Sequence, residues 1–187
     1  MISVRRYNIG DRDQVERICL ENAGCANAPE DLKTFTLLMR CQYYIEQERE
    51  NCFVAVDDAG KVVGYVLCSE NYNTYERTFT EKYIPKAAAI SAKCYVDAKF
   101  DMLKHAMYRR YYPAHLYIDV SLDHQNLGVG GLLLTALKTQ LKRKFVQGVM
   151  AVCEENNEDL IRFFENNGFQ TILTTRYGKT MVFDFDE

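Results

Sequence analysis

The sequence lacks any marked excess of positive charge. Its 187 residues carry a formal net charge of -3, and the sequence pI is about 5.7. Proteins that bind nucleic acid through a general basic surface need clustered Lys and Arg, so this balance argues against that class of function. A small molecule or a cationic partner is easier to accommodate. Internal repeats, low-complexity segments and linkers are also missing, so we expect a single domain over 1–187.

Paired cysteines and long apolar runs are missing as well. The seven cysteines are isolated, with no Cys-x-x-Cys pair and no zinc-like spacing. This pattern indicates reduced, mostly buried thiols and a cytoplasmic protein. The amino terminus has no apolar signal core, and no apolar run approaches membrane-spanning length. The histidines at 105, 115 and 124 show no metal-ligand spacing. We therefore expect no metal, no membrane and no nucleic acid among the partners.

Hydrophobic periodicity predicts an α/β chain. The predicted strands are 2–7, 52–56, 61–69, 115–122, 148–153, 170–175 and 180–184. The predicted helices are 14–22, a helix from Pro29 through Tyr43, 130–144 and 157–167. The stretch 71–113 is too long for a plain connection and has weak helical periodicity around 80–95 and 99–108, so we expect a helical insertion between strands three and four. This order predicts a twisted mixed sheet with helices on both faces.

Three glycines stand where the strand 115–122 gives way to a helix. They are Gly128, Gly130 and Gly131, in the segment QNLGVGGLLL. The amino terminus of a helix has unpaired N–H groups and a partial positive charge, and glycines let its backbone approach phosphate oxygens closely. A nucleoside-triphosphate loop would need Gly-Lys-Ser/Thr, and a dinucleotide loop would need glycine in place of Leu133. Neither pattern is present.

The pattern that remains, Gln125-x-x-Gly128-x-Gly130, resembles the acetyl-CoA pyrophosphate loop of the GNAT superfamily of N-acetyltransferases. In that superfamily the loop reads [Gln/Arg]-x-x-Gly-x-[Gly/Ala] and lies between the fourth strand and the third helix. The segment NNEDLIRFFENNGF is similar to the superfamily's second cofactor motif, with Asn157 and Phe164 at its characteristic positions. The resemblance covers nearly the whole chain. More narrowly, YYPAHLYIDV and the tyrosine-rich insertion resemble the acetyltransferase-like domain of O-GlcNAcase and its bacterial relatives.

The resemblance implies how acetyl-CoA would be held. The strands 115–122 and 148–153 would splay apart, and the pantetheine arm would lie in the gap. Backbone groups around Val120 and Leu122 would pair with the arm, and Asn157 would hydrogen-bond it from the far side. The backbone of 126–131 would hold the pyrophosphate. The implied cofactor-binding residues also include Phe164 and the whole loop: Gln125, Asn126, Leu127, Gly128, Val129, Gly130 and Gly131.

Acetyl transfer to a primary amine needs a base that accepts a proton. Strand alternation places Asp119 on one face with Tyr117 and His115, and a carboxyl group partly buried among aromatics has a raised pKa. We predict Asp119 as the base, with an ordinary pairing to an arginine, a tyrosine or a backbone amide as the alternative. His115 is expected to be a packed residue. Because Phe164 stands where many relatives have tyrosine, the leaving thiolate would take its proton from Tyr117, from a tyrosine of the insertion, or from water.

The insertion 71–113 is the expected lid of the acceptor site. Tyrosines suit the wall of a binding pocket, and acidic neighbours favour a cationic amine, although ordinary packing is the favoured interpretation of any single residue. The tyrosines are Tyr72, Tyr75, Tyr83, Tyr95, Tyr108, Tyr111 and Tyr112, and the nearby acids are Glu70, Glu76, Glu81, Asp97 and Asp101.

Together these features predict an acetyltransferase that moves acetyl from acetyl-CoA to a primary amine by direct attack in a ternary complex, as a monomer or homodimer. A non-catalytic acyl-CoA sensor is one alternative. An acyltransferase that uses another acyl-CoA or an oxygen acceptor is another. The sequence leaves the identity of the acceptor open.

Overall fold

A computed structural model describes residues 1–154 and 156–185, so three residues of the predicted domain 1–187, at 155, 186 and 187, lie outside the described part. The strands form one open seven-stranded sheet in the order β1-β2-β3-β4-β5-β7-β6. All neighbouring strands are antiparallel except β4 and β5, which are parallel, and this confirms the predicted mixed sheet. The strands are β1 (Ser3–Arg6), β2 (Phe53–Val56), β3 (Val62–Ser69), β4 (Ala114–Val120), β5 (Gly148–Cys153), β6 (Gln170–Thr175) and β7 (Gly178–Asp184).

The helices occupy both faces of this sheet. They are α1 (Arg12–Asn22), α2 (Glu30–Leu37), α3 (Tyr43–Gln47), α4 (Tyr72–Lys82), α5 (Ile84–Ile90), α6 (Ala92–Ala106), α7 (Val129–Arg143) and α8 (Glu158–Asn166). A π-helical turn, Leu38–Gln42, joins α2 to α3, where the sequence predicted one continuous helix. Over the described residues, the structure has no helix with the length and hydropathy needed to cross a membrane.

Strand β3 shows how the two faces are divided. Tyr65 and Leu67 belong to a core packed by the helices α1 to α6, whereas Val66 and Cys68 belong to a second core packed by α7 and α8. Successive side chains of a strand point to opposite faces, so this alternation places the two cores on opposite sides of the sheet. All eight residues of β3 are buried, as expected for a central strand covered on both sides.

The pairing of β4 with β5 is short. Only Ala114 with Val149 and His115 with Met150 are in register, after which the strands diverge. The strand predicted over 115–122 ends at Val120: Ser121 makes a last hydrogen bond to β3 through its N–H and the Val63 carbonyl, and a 3₁₀ turn, Leu122–His124, follows. Leu122 therefore lies beyond the strand. The divergence opens the gap that the sequence predicted between these two strands.

The insertion consists of three helices, and one prediction about it needs correction. The helix predicted over 80–95 is divided, because the Ser91 side chain accepts a hydrogen bond from the Cys94 N–H (3.0 Å) and caps a new helix, α6. Three of the tyrosines have the packing role that the sequence analysis favoured for any single residue. Tyr72, Tyr75 and Tyr83 are buried in the first core, where the Tyr75 ring packs edge-on against the Tyr43 ring with centroids 4.7 Å apart. Aromatic packing over the sheet fixes their position.

Candidate active site

A cleft of about 410 Å³ occupies the gap between β4 and β5. It is lined by most of the predicted cofactor-binding residues: Val120, Gln125, Asn126, Gly128, Val129, Gly130, Gly131, Asn157 and Phe164. The side chains of Leu122 and Leu127 are exposed, and neither residue is part of the described lining. The cleft therefore joins two segments that are well separated in the sequence, the glycine loop and the start of α8.

The glycines of the loop occupy their positions for different structural reasons. Gly128 precedes α7 in the left-handed conformation (φ 80°), and Asn126 also has a positive φ of 61°. A Cβ on Gly130 would lie only 2.8 Å from the Phe163 ring, so that glycine allows α7 to pack against α8. Packing against Phe163 is therefore a reason for glycine at 130 that the sequence analysis did not include, and Gly130 also lines the cleft. The first N–H groups of α7 have no partner within the helix, and residues 129 to 131 line the cleft.

Polar side chains fix the glycine loop to the end of β4. The Asn22 side chain donates to the Val120 carbonyl (3.1 Å) and accepts from the Gln125 side chain (3.1 Å). Gln125 also donates to the Val120 carbonyl (3.3 Å). The glutamine of the loop motif thus ties the loop to the strand. The sequence offered no signal for Asn22, which lies about a hundred positions away.

The backbone of β4 presents hydrogen-bonding groups to the cleft. Ser121 points its N–H to β3, and alternate residues of a strand turn their peptide groups to opposite neighbours. The peptide groups of Ile118 and Val120 therefore face the gap, and both residues line it. Opposite them, Asn157 accepts a hydrogen bond from the Leu160 N–H (3.1 Å), which caps α8 and holds the side chain at the cleft.

Asp119 lies in the wall of the same cleft. Its carboxylate accepts a hydrogen bond from the Tyr65 hydroxyl, and Tyr65 is its cross-strand partner on β3. Burial raises the pKa of Asp119 to about 6, while the Tyr65 hydrogen bond and the charge of Arg40 act in the opposite direction. The raised pKa agrees with the sequence prediction. A carboxyl group with this pKa is ionised at neutral pH yet basic enough to accept a proton.

A second cavity, of about 440 Å³, lies between α2 and α6. Asp97, Phe100 and Asp101 of α6 line it, so one helix of the insertion forms a wall of this cavity. The cavity and the cleft have a common boundary, because five residues line both: Ala23, Arg40, Tyr117, Val152 and Glu154.

Tyr117 lies at this boundary. Its hydroxyl donates to an Asp101 oxygen at 3.4 Å, and burial raises its pKa well above the ordinary value. It is therefore protonated at neutral pH.

Two other residues at the boundary carry charge and were missed by the sequence analysis. Arg40 belongs to the π-helical turn, and its guanidinium lies 3.7 Å from the exposed carboxylate of Glu154. Such turns occur frequently at functional sites. A lone arginine in a helical pattern and a glutamate after a strand have no distinctive sequence signal, so only the fold brings them to the site.

The histidines take the secondary roles that were expected. His115 is fully buried, and its Nε2 lies 2.9 Å from the Tyr44 hydroxyl. Burial lowers the pKa of His115 well below its ordinary value, so it is neutral at neutral pH. It is not among the described residues that line either cavity. His124 lines the cleft beside the glycine loop, with its Nδ1 3.0 Å from the Ser121 hydroxyl.

Comparisons with known structures agree with this geometry. The chain is similar to SsHAT, with 25% identity, a TM-score of 0.87 and 98% of each chain covered. It shares the fold of an agmatine N-acetyltransferase variant in its apo form, with 20% identity, a TM-score of 0.70, and 99% of this chain and 100% of that chain covered. It also shares the fold of the PaiA N-acetyltransferase from Thermoplasma acidophilum, solved with coenzyme A, with 13% identity, a TM-score of 0.61 and 99% of each chain covered.

Comparison with curated protein sequences gave no significant match. The family assignment rests on a match over most of the chain. Residues 16–169 match the acetyltransferase (GNAT) family, and the matched part contains most of α1, the glycine loop, Asp119 and α8. The chain belongs to the acetyltransferase (GNAT) family.

Proposed function

We propose that this protein transfers an acetyl group from acetyl-CoA to a primary amine by direct attack in a ternary complex. The observation that carries the proposal is the meeting of two cavities at Tyr117 and Arg40, with Asp119 in the wall of one of them. One cavity has the features needed for the thioester, and the other can hold an amine. The reacting atoms would come together at their common boundary.

Acetyl-CoA fits the cleft between β4 and β5. The left-handed backbone at Asn126 and Gly128 and the amino terminus of α7 suit the pyrophosphate, because backbone N–H groups and the helix dipole favour anions there. The peptide group of Ile118 and the N–H of Val120 suit the amides of the pantetheine arm, whereas the Val120 carbonyl accepts from Asn22 and Gln125. Acetyl-CoA is the co-substrate that GNAT enzymes use.

The chemistry requires one proton to leave the amine and one to reach the sulfur. The amine lone pair attacks the thioester carbonyl carbon, the carbon–sulfur bond breaks, and its electron pair leaves with the coenzyme A thiolate. Asp119 accepts the proton of the amine, directly or through water. Tyr117, which is protonated at neutral pH, supplies a proton to the thiolate. Phe164 has no proton to give, and it packs against Phe169 with ring centroids 4.8 Å apart.

The experiment is release of free coenzyme A thiol from acetyl-CoA across a panel of primary amines, with acetyl-CoA binding measured separately. We expect thiol release by the wild-type protein. Asp119→Asn should lower kcat about 100-fold or more while its acetyl-CoA Kd stays within about twofold, because the base is lost and the cleft is not. Asp123→Asn is the matched control, since that exposed aspartate lies on the turn after β4 and outside the described cleft lining.

Two results would contradict the proposal. Equal turnover in Asp119→Asn would remove this residue from the mechanism. Acetyl-CoA binding without thiol release for any amine would instead favour a non-catalytic acyl-CoA sensor, the candidate that the missing hydroxyl at Phe164 supports. Comparing acyl-CoAs of increasing chain length would identify a different acyl donor.

A further inference from the structure

Three large apolar side chains are exposed around the second cavity. Leu32 of α2 is 47% exposed, Phe100 of α6 is 45% exposed and Tyr177 of the β6–β7 turn is 48% exposed, and all three line this cavity. The Phe100 and Tyr177 rings meet edge to face, with centroids 5.2 Å apart. Single exposed apolar residues are ordinary, but three from separate elements that line one cavity mark a surface that binds apolar groups.

The charges of the cavity favour a ligand with a single positive charge. Asp97 and Asp101 line it, but Lys93 pairs with Asp97 (2.5 Å) and Lys104 pairs with Asp101 (2.6 Å). Lys104 and Arg40 also line the cavity, so its lining carries two positive charges against the three carboxylates of Asp97, Asp101 and Glu154, and one ammonium balances the difference. A linear diamine therefore has no unpaired carboxylate on α6 for its distal end.

One carboxylate remains for an incoming ammonium at the boundary of the two cavities. Glu154 is exposed and lines both cavities, and its one ion pair among the described residues is a long 3.7 Å contact with Arg40. Asp119 lies beyond that boundary, in the cleft. The boundary of the two cavities thus carries the carboxylate of Glu154, whereas Leu32, Phe100 and Tyr177 line the second cavity and are not part of the described cleft lining.

We infer that the acceptor is a primary monoamine carried on an aromatic or similarly bulky apolar body. This inference rests on the proposed function. The body packs against Leu32, Phe100 and Tyr177, and the ammonium points toward the boundary near Tyr117. A cavity of about 440 Å³ falls in the size range of small-molecule sites. The Phe100 and Tyr177 rings meet edge to face, so an aromatic ring of the ligand can contact both ring faces and ring edges.

The test compares three amines with the wild-type protein: 2-phenylethylamine, ethylamine and 1,4-diaminobutane. We expect kcat/KM for 2-phenylethylamine to exceed each of the others by about tenfold or more, since burial of a ring adds binding that the short and the doubly charged amines lack. Phe100→Ala should raise KM for 2-phenylethylamine by about fivefold or more with kcat within about twofold, and should leave ethylamine kinetics unchanged.

The matched control is Leu103→Ala. Leu103 is 63% exposed on the same helix but is not part of the described cavity lining, so its truncation should change none of these constants. Thermal unfolding of both variants verifies that they fold. The inference is overturned if 1,4-diaminobutane is acetylated as well as or better than 2-phenylethylamine, or if Phe100→Ala and Leu103→Ala behave alike.

Failure of the proposed function would give a different experimental result from failure of this inference. If no amine releases thiol, calorimetry with the coenzyme A-loaded protein measures 2-phenylethylamine binding directly. Binding that is weakened in Phe100→Ala and retained in Leu103→Ala supports the acceptor class without turnover. Absence of binding, or equal binding in both variants, overturns it.

Discussion

The cleft between β4 and β5 and the second cavity are of nearly equal volume, yet they are built in different ways. The cleft is formed mainly by two segments, 116–131 and 151–164, and the proposed recognition of acetyl-CoA there is partly by main-chain groups. The second cavity is lined by residues of the α1–α2 connection, α2, the π-helical turn, α6, β4, the end of β5 and the β6–β7 turn. Main-chain recognition requires local glycine patterns, whereas recognition by side chains from scattered elements leaves no local pattern. The predictions below test this difference.

The largest expected effect is on the cleft alone. Gly128→Val places a β-branched residue at a φ of 80°, which costs about 1–3 kcal/mol or forces the loop into another conformation. We expect the acetyl-CoA Kd to rise at least about tenfold, measured by calorimetry, with little change in KM for the amine. Gly60→Val is the control, because Gly60 has a similar φ of 79° in the β2–β3 hairpin, outside the described cleft lining. If both variants bind acetyl-CoA equally, the loop does not hold the pyrophosphate.

The next effect lies at the boundary of the two cavities. Tyr117→Phe removes the hydroxyl proposed to protonate the thiolate, and we expect kcat to fall about fivefold. The loss is modest because a thiol is acidic enough to leave without full assistance. Both KM values should stay within about twofold, since neither substrate loses its main contacts. A change in KM for the amine with unchanged kcat would instead make Tyr117 a wall of the acceptor cavity only.

The smallest effect is a shift of the pH profile. Asp119 accepts a proton only when ionised, so kcat should fall as the pH drops through about 6, the pKa that burial gives this carboxyl group. The charge of Arg40 lowers this pKa, so Arg40→Gln should move the inflection upward by less than about one pH unit.

The amine substrate itself loses a proton near pH 10, so its titration is separate from the fall in kcat near pH 6. Lys104→Gln is the control for Arg40→Gln, since it removes a positive charge that pairs with Asp101. An inflection that shifts equally in both variants would contradict a specific link between Arg40 and Asp119.

Much of the fold could be predicted from the sequence because it follows local rules. Alternation predicted the strands to within two residues at their ends, and the glycine loop and α8 were located by their motifs. Errors occurred where a local interaction that competes with the periodic pattern decided where a helix or strand ends. Ser91 capped a new helix inside a predicted one, and β4 ended at Val120 because a 3₁₀ turn, Leu122–His124, turns the chain away.

The candidate site was predictable in part for the same reason. Asp119 was located by alternation, and its raised pKa followed from expected burial. Arg40 and Glu154 could not be predicted, because they meet only after the π-helical turn and the end of β5 come together. For the tyrosines of the insertion the sequence left a pocket wall and a core position open and favoured packing for any single residue, since aromatic residues suit both, and Tyr75 is buried against Tyr43.

The sequence by itself determined the strand–loop–helix unit that can hold an anion, because backbone conformation and helix ends depend on neighbouring residues. Only the tertiary structure decided what lies across from that unit: the pairing of Asn22 with Gln125, the packing of Phe163 on Gly130, and the cavity that ends in Phe100 and Tyr177. These contacts join distant segments, and their geometry depends on how the whole sheet and its helices pack.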